Sequence, residues 1–168
     1  MRSNSLLAIL RTLAASEAEF VLVGGLAAVL QGAPIQTYDV DIVYARNPKT
    51  IARLFDVLSS LDAIFRIQPE RKLHPAISHL AGGGHLNLLT RNGPLDLLGT
   101  IGNGLHYEDL LSYSSEMYIG ESLKIQVLNL EKLIQLKEEL GGEKDTAVLP
   151  VLRQTLQESK KHRDRPTS

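Results

Sequence analysis

The chain contains no cysteine in its 168 residues. Disulfides, thiolate nucleophiles and cysteine-ligated zinc are therefore excluded. Net charge is almost absent as well, at −1. The molecule as a whole has no electrostatic pull toward nucleic acid or anionic membrane, and any polyanion binding must come from a local basic patch. No apolar run reaches the ~20 residues that span a bilayer. The opening segment carries Leu6, Leu7, Ile9, Leu10 and Leu13 at helical spacing, interrupted by Arg11 and Thr12. That pattern predicts an amphipathic helix rather than a signal peptide. A reducing cytoplasm fits these features. The histidines, His74, His79, His85, His106 and His162, have no metal-ligand spacing and are read as loop or surface residues. There is no internal repeat and no linker. The chain reads as one domain, 1–160, with the charged end 161–168 expected to be disordered.

What is present is ordinary in bulk: 43% hydrophobic and 22% charged residues describe a soluble globular domain. The informative stretch is 20–43, FVLVGGLAAVLQGAPIQTYDVDIV. Phe20 to Val23 is short, apolar and β-prone, so a buried strand is expected there. Gly24-Gly25 ends it. A short helix is predicted over 26–31, stopped by Gly32 with Pro34 beyond. Residues 37–44 then alternate, which predicts a strand with Tyr38, Val40, Ile42 and Tyr44 on one face and Asp39, Asp41 and Val43 on the other.

Further along, Ser3 or Asn4 is expected to cap the first helix, and Asn47-Pro48 to open a later one. A strand is expected near 63–67. Residues 68–84 read as a mobile excursion with one helical turn at most. The runs 85–90 and 95–100, joined through Arg91-Asn92-Gly93-Pro94, predict a hairpin. A helical turn over 107–111 and a second hairpin, 117–119 with 123–128, follow. Asn129 is expected to cap a helix to Leu140, ended by Gly141. A last helix falls between Asp145 and Lys160, beginning late or kinked at Pro150. The fold class expected is α/β (α+β): a mixed, twisted sheet flanked by helices, with helices at the C-terminal end.

Asp39 and Asp41 are the first candidate site. Residues i and i+2 of a strand point to one face with Cα atoms roughly 6.5–7 Å apart. Two such carboxylates can share one divalent cation or bracket two, and Mg²⁺ suits a sparse carboxylate set completed by phosphate oxygens and water. Without a cation the like charges would raise one pKa. Equally, they can be two acids on a solvated face, although Asp is a poor strand former. Gly24 and Gly25 have two readings too. They can make a tight strand-to-helix turn, or present free N–H groups to a phosphate with no Cβ in the way. The run is neither the dinucleotide fingerprint nor a P-loop. Asp96, a lone acid in the apolar run Leu95-Asp96-Leu97-Leu98, completes a metal site if its strand lies beside that of Asp41; otherwise it is an exposed edge acid. Arg66, Arg71 and Lys72 can border a polyanion site or be solvated.

Val23-Gly24-Gly25, then Asp39 and Asp41, then Asp96 together resemble the DNA polymerase β-like nucleotidyltransferase superfamily. The chain looks most like its small bacterial members related to toxin–antitoxin and abortive-infection systems. Thr37, two residues before the first acid, matches that group, as does the segment from Val127 through Lys137 to Lys144-Asp145. The resemblance implies a nucleotidyltransferase fold that moves an NMP from an NTP, such as ATP, to a hydroxyl of RNA, protein or a small molecule. It implies Mg²⁺ (or Mn²⁺) on Asp39, Asp41 and Asp96, with Asp96 assisting the acceptor, and the nucleotide on Gly24, Gly25, Thr37 and Lys137. Two positions depart from it: Ile35 stands where relatives commonly carry Arg, and Gly141-Gly142-Glu143 lacks another Arg. A non-catalytic, antitoxin-like binding subunit with a partner protein is the second reading, and a metal-dependent phosphohydrolase the third.

Overall fold

A computed structural model of the protein describes residues 2–165, with side chains from Ser5 onward. Helix α1 (Arg2–Ala15) buries Leu6, Ile9, Leu10 and Leu13. It begins at Arg2, ahead of Ser3 and Asn4, so neither takes the expected cap position; their side chains lie outside the described residues. Strand β1 (Phe20–Val23) is buried at every residue. Helix α2 (Gly24–Leu30) starts at Gly24 rather than Leu26, because Gly24 at φ 72° makes the turn within the helix's own first position. Gly32, at φ 100°, follows its end as expected.

Strand β2 (Val40–Tyr44) is shorter than the sequence predicts. Strand β1 ends with Val23 opposite Asp41, so residues 37–39 find no ladder partner on that side. Asp39 therefore sits in a bend just before the strand, and Tyr38 is 58% exposed rather than on the apolar face. Helix α3 (Pro48–Ser60) starts as expected, with the Asn47 side chain accepting from the Thr50 N–H at 2.9 Å. Strand β3 is brief (Ile64–Phe65).

The region 68–84 holds more regular structure than its sequence shows. A 3₁₀ turn (Pro69–Arg71) leads to helix α4 (Ile77–Gly82), whose Leu80 is wholly buried. Its anchors come from elsewhere in the chain. The Tyr44 hydroxyl donates to the Leu80 carbonyl at 2.6 Å, and the Phe65 ring meets His79 edge-on at 5.0 Å. Strands β4 (Leu86–Thr90) and β5 (Gly93–Leu98) form the expected hairpin, closed by Arg91-Asn92 alone, with Gly93 and Pro94 taken into the ladder.

Helix α5 (Tyr107–Leu110) and a 3₁₀ turn (Leu111–Tyr113) precede the hairpin of β6 (Ser114–Ile119) and β7 (Leu123–Leu128). Helix α6 (Leu130–Leu140) ends at Gly141. The Asn129 side chain does not cap it; its Oδ1 accepts from the Ser115 hydroxyl instead, at 2.8 Å. Helix α7 (Glu143–Arg163) starts before Pro150, runs through it, and continues past Lys160, so 161–163 are helical. The last three expected tail positions, 166–168, lie outside the described residues. Among the described residues no helix is long and apolar enough to cross a membrane.

The strands form one sheet in the order β3-β4-β5-β2-β1-β7-β6. Strand β2 runs parallel to β5 and β1 parallel to β7; the remaining pairs are antiparallel. Alternation then sorts the side chains into two faces. One face is sealed: Leu22, Val40, Ile42, Leu86, Leu88, Leu95 and Leu97 are all buried. Helix α1 lies on that side, since a Cβ on Gly93, pointing with Leu95 and Leu97, would meet Leu6 and Ile9. The other face is covered at Val21, Val23 and Val43, but over β5 and β4 it opens. Asp41, Asp96 and Leu98 are half-buried there and Asn87 is exposed.

Candidate active site

The register of β2 and β5 assembles the acids. In the parallel pair, Asp41 and Asp96 are direct partners, on neighbouring strands about 4.8 Å apart with side chains on the same face. Asp39 joins them from the bend before β2. The three carboxylates offer ligand oxygens within 4.8 Å of one another. The condition that Asp96 be carried next to the paired acids is met by backbone pairing.

The glycines are shaped to this cluster. A Cβ on Gly24 would overlap the Asp41 carboxylate, and one on Gly25 would stand 2.9 Å from the Thr37 hydroxyl. Gly24 also holds φ 72°, where an L side chain is strained. Thr37 in turn donates to the Asp39 carbonyl at 3.4 Å, tying the loop before β2 to the acids. Both glycines are part-exposed, so the backbone beside the carboxylates is open to a ligand.

Electrostatically, the cluster resists full ionisation. Burial pushes the Asp41 carboxyl up to about 8, with the Asp39 charge and a hydrogen bond to Asp96 adding to the shift. Asp39 is raised too, first by burial and then by Asp96. Near neutral pH this crowd of oxygens therefore retains a proton that a divalent cation would displace. Hard oxygen donors, close spacing and a disfavoured like-charge crowd fit Mg²⁺ or Mn²⁺.

Against known proteins, no family model matches the chain and no curated protein is similar to it at a meaningful level. Among solved structures, it is similar to a Thermotoga maritima protein described as a "putative nucleotidyltransferase". The TM-score is 0.55 at 20% identity, over 90% of this chain and 92% of that one. The fold is that of a nucleotidyltransferase.

Within that nucleotidyltransferase fold, the positions read from sequence divide into two groups. Gly24, Gly25, Thr37, Asp39, Asp41 and Asp96 come together in one place. Lys137 does not join them by any described contact. Its ammonium pairs with Asp145 at 3.1 Å across α6 and α7. Ile35 packs part-buried against the core and lines an apolar pocket with Leu6, Leu7 and Leu26.

One neighbour of the acids stood in the sequence as one of three loop cations that can border a polyanion site or be solvated. Arg66, just after β3, ion-pairs with Asp96 and donates to the Leu88 carbonyl at 3.3 Å, both through Nη2. Its positive charge lowers the pKa of both Asp39 and Asp41, partly offsetting the burial. Its Nε is buried with no partner among the described residues. Nothing local in RIQPERK marks Arg66 out from Arg71. Only the pairing of β3 with β4, and of β4 with β5, brings it to the acids.

Proposed function

We propose that the protein is a nucleotidyltransferase of the DNA polymerase β-like type, moving a nucleoside monophosphate from an NTP to an acceptor hydroxyl. The observation that carries this reading is the convergence of Asp39, Asp41 and Asp96 beside a glycine pair that has no room for side chains. It is supported by the fold, by the open sheet face, and by crowded carboxylates whose raised pKa a bound divalent cation would reverse.

Asp39, Asp41 and Asp96 would hold Mg²⁺ or Mn²⁺. When bound, the cation neutralises charge that builds on the transferring phosphoryl group. Gly24 and Gly25 leave backbone N–H groups within reach of the triphosphate, and Thr37 fixes the loop that faces them. In the reaction the acceptor oxygen bonds to the α-phosphorus, the bond to the β-phosphate bridging oxygen breaks, and pyrophosphate leaves. Asp96 takes the acceptor's proton. Such an enzyme would work where NTPs are abundant, in the cytoplasm, and the toxin–antitoxin context belongs to the same proposal.

A second reading, a non-catalytic binding subunit acting through a partner protein, is favoured by Ile35 packing into the core and by Lys137 being engaged with Asp145. Incubation with each α-labelled NTP, Mg²⁺ or Mn²⁺, and RNA or protein extract separates the two. Metal-dependent transfer of label, abolished in the Asp39→Ala/Asp41→Ala protein, is expected. Nucleotide binding without transfer under every metal and acceptor would establish the subunit reading. Release of phosphate or pyrophosphate without labelled acceptor would indicate a hydrolase.

A further inference from the structure

We propose that Arg66 and Asn87 form the acceptor half of this site, and that the acceptor carries a phosphate next to its reacting hydroxyl. The inference rests on the nucleotidyltransferase reading above. It starts from a row of side chains laid across the open face of the sheet. Val23 is the partner of Asp41, Asp41 of Asp96, and Asp96 of Asn87. The Arg66 N–H donates to the Asn87 carbonyl at 2.9 Å, extending the same register to the edge. Partnered residues in neighbouring strands point to one side. The row therefore reads Val23, Asp41, Asp96, Asn87, Arg66, with Gly24, next after Val23 and against the Asp41 carboxylate, at one end and a guanidinium at the other.

The direction of the chemistry follows from that order. Phosphoryl transfer places the attacking and leaving oxygens roughly in line. If the glycines hold the triphosphate, pyrophosphate departs at their end and the hydroxyl must approach from the Asp96 end. What awaits it there is Asn87, exposed, with an amide that both donates and accepts, and Arg66. The guanidinium holds Asp96 through Nη2, yet its side chain is still 36% exposed. Such a fork is suited to phosphate oxygens.

The surroundings favour phosphate over a single carboxylate. Beyond Arg66 the segment adds Arg71 and Lys72, both exposed, against Glu70 alone. The chain as a whole is −1, so the segment that follows Arg66 carries a local excess of positive charge. The phosphate can belong to the end of a polynucleotide or to a free nucleotide, and the probes below distinguish them.

The experiment uses the full chain with Mg²⁺ and a saturating non-hydrolysable ATP analogue, so that the donor half is filled. Three probes are titrated calorimetrically: a five-nucleotide oligoribonucleotide with a free 3′ hydroxyl, AMP, and adenosine. The Arg66→Gln protein is expected to bind the phosphate-bearing acceptor on the order of tenfold more weakly than wild type, the scale of one lost charge-assisted hydrogen bond. Asn87→Ala, at an exposed position that leaves the fold intact, should weaken the same probe by less. Arg66→Lys should recover part of the loss. Adenosine should not respond. Loss confined to the oligonucleotide identifies a polynucleotide end; equal loss for AMP identifies a free nucleotide. Affinity for the ATP analogue should be unchanged in Asn87→Ala, whose side chain contacts none of the three acids. If wild type binds neither phosphate probe, or if Arg66→Gln and Asn87→Ala bind them as wild type does, the acceptor assignment is overturned. If the ATP analogue itself fails to bind wild type with Mg²⁺, the nucleotidyltransferase reading fails instead.

Discussion

The two faces of β5 differ in what they are for, although one strand supplies both. Leu95 and Leu97 are fully buried on the sealed face, in contact with the body of the core. Asp96, between them, points the other way into a row of polar groups. One face therefore anchors the strand in the core, and the other carries the candidate site. Burial on the sealed side fixes the register, and the register fixes where the Asp96 carboxylate stands relative to Asp41. A site built on paired strands inherits the precision of the ladder, which a carboxylate on a loop would lack.

The sharpest way to separate the faces is to remove an acid without touching the core. Asp41→Asn should lower metal-dependent transfer on the order of a thousandfold, the upper scale for losing one charge-stabilising group. It should leave the thermal midpoint at pH 8 equal to or above wild type, because a buried, crowded charge is gone. A variant that lost activity only by unfolding would show the opposite in a melting curve. The sealed face should behave in reverse. Leu97→Ala should cost about 2–5 kcal/mol in denaturant unfolding, through lost burial and a residual cavity. Mn²⁺ affinity measured on its folded fraction should be close to wild type. A large drop in that affinity would mean that the faces are not independent.

Protons offer a smaller and graded contrast. The Asp41 carboxyl lies at about 8 in the fold against 3.8 for the ordinary group. The folded state thus holds a proton that the unfolded chain has already released. The stabilisation is fully present below about pH 4 and is lost as pH rises through about 8. Metal-free protein should accordingly melt at lower temperature at pH 9 than at pH 6. Millimolar Mg²⁺ should reverse this at the alkaline end, and Asp41→Asn should flatten the slope. Calorimetry in buffers of different ionisation enthalpy should register protons released on metal binding. The smallest effect is expected from Lys137→Ala. A part-exposed ion pair with Asp145 is worth roughly 0–1 kcal/mol, and Mn²⁺ affinity should not change. A marked loss of NTP affinity in that variant would draw α6 into the nucleotide site.

Legibility followed the same division. Strand β1 and the start of α3 could be read residue by residue, because a short apolar run and an Asn-Pro cap are local signals. The start of β2 could not. Alternation continues back to Thr37, but a strand needs a partner, and β1 stops opposite Asp41. Residues 68–84 defeated local reading for the reverse reason. Leu80 is buried through a hydrogen bond from Tyr44 and packing contributed by distant elements, which no window of sequence contains. Asn129 shows the limit of a single-residue rule. It precedes a helix, as a cap should, but Ser115 on the neighbouring strand claims its side chain.

The sequence by itself determined the chemistry on offer: two glycines, a threonine and three acids in an order that supplies hard oxygen ligands and permits close backbone approach. Those are properties of residue type and spacing, and they survive without coordinates. The tertiary structure decided which groups face one another. Parallel pairing set Asp96 beside Asp41, the closeness of Gly24 to the Asp41 carboxylate explained the glycine, and the edge strand delivered Arg66 to the far end of the row. Strand order is a property of the whole sheet. It depends on which apolar faces can be buried together, and so the cation that pairs with Asp96 could not be told from its neighbours until the chain was folded.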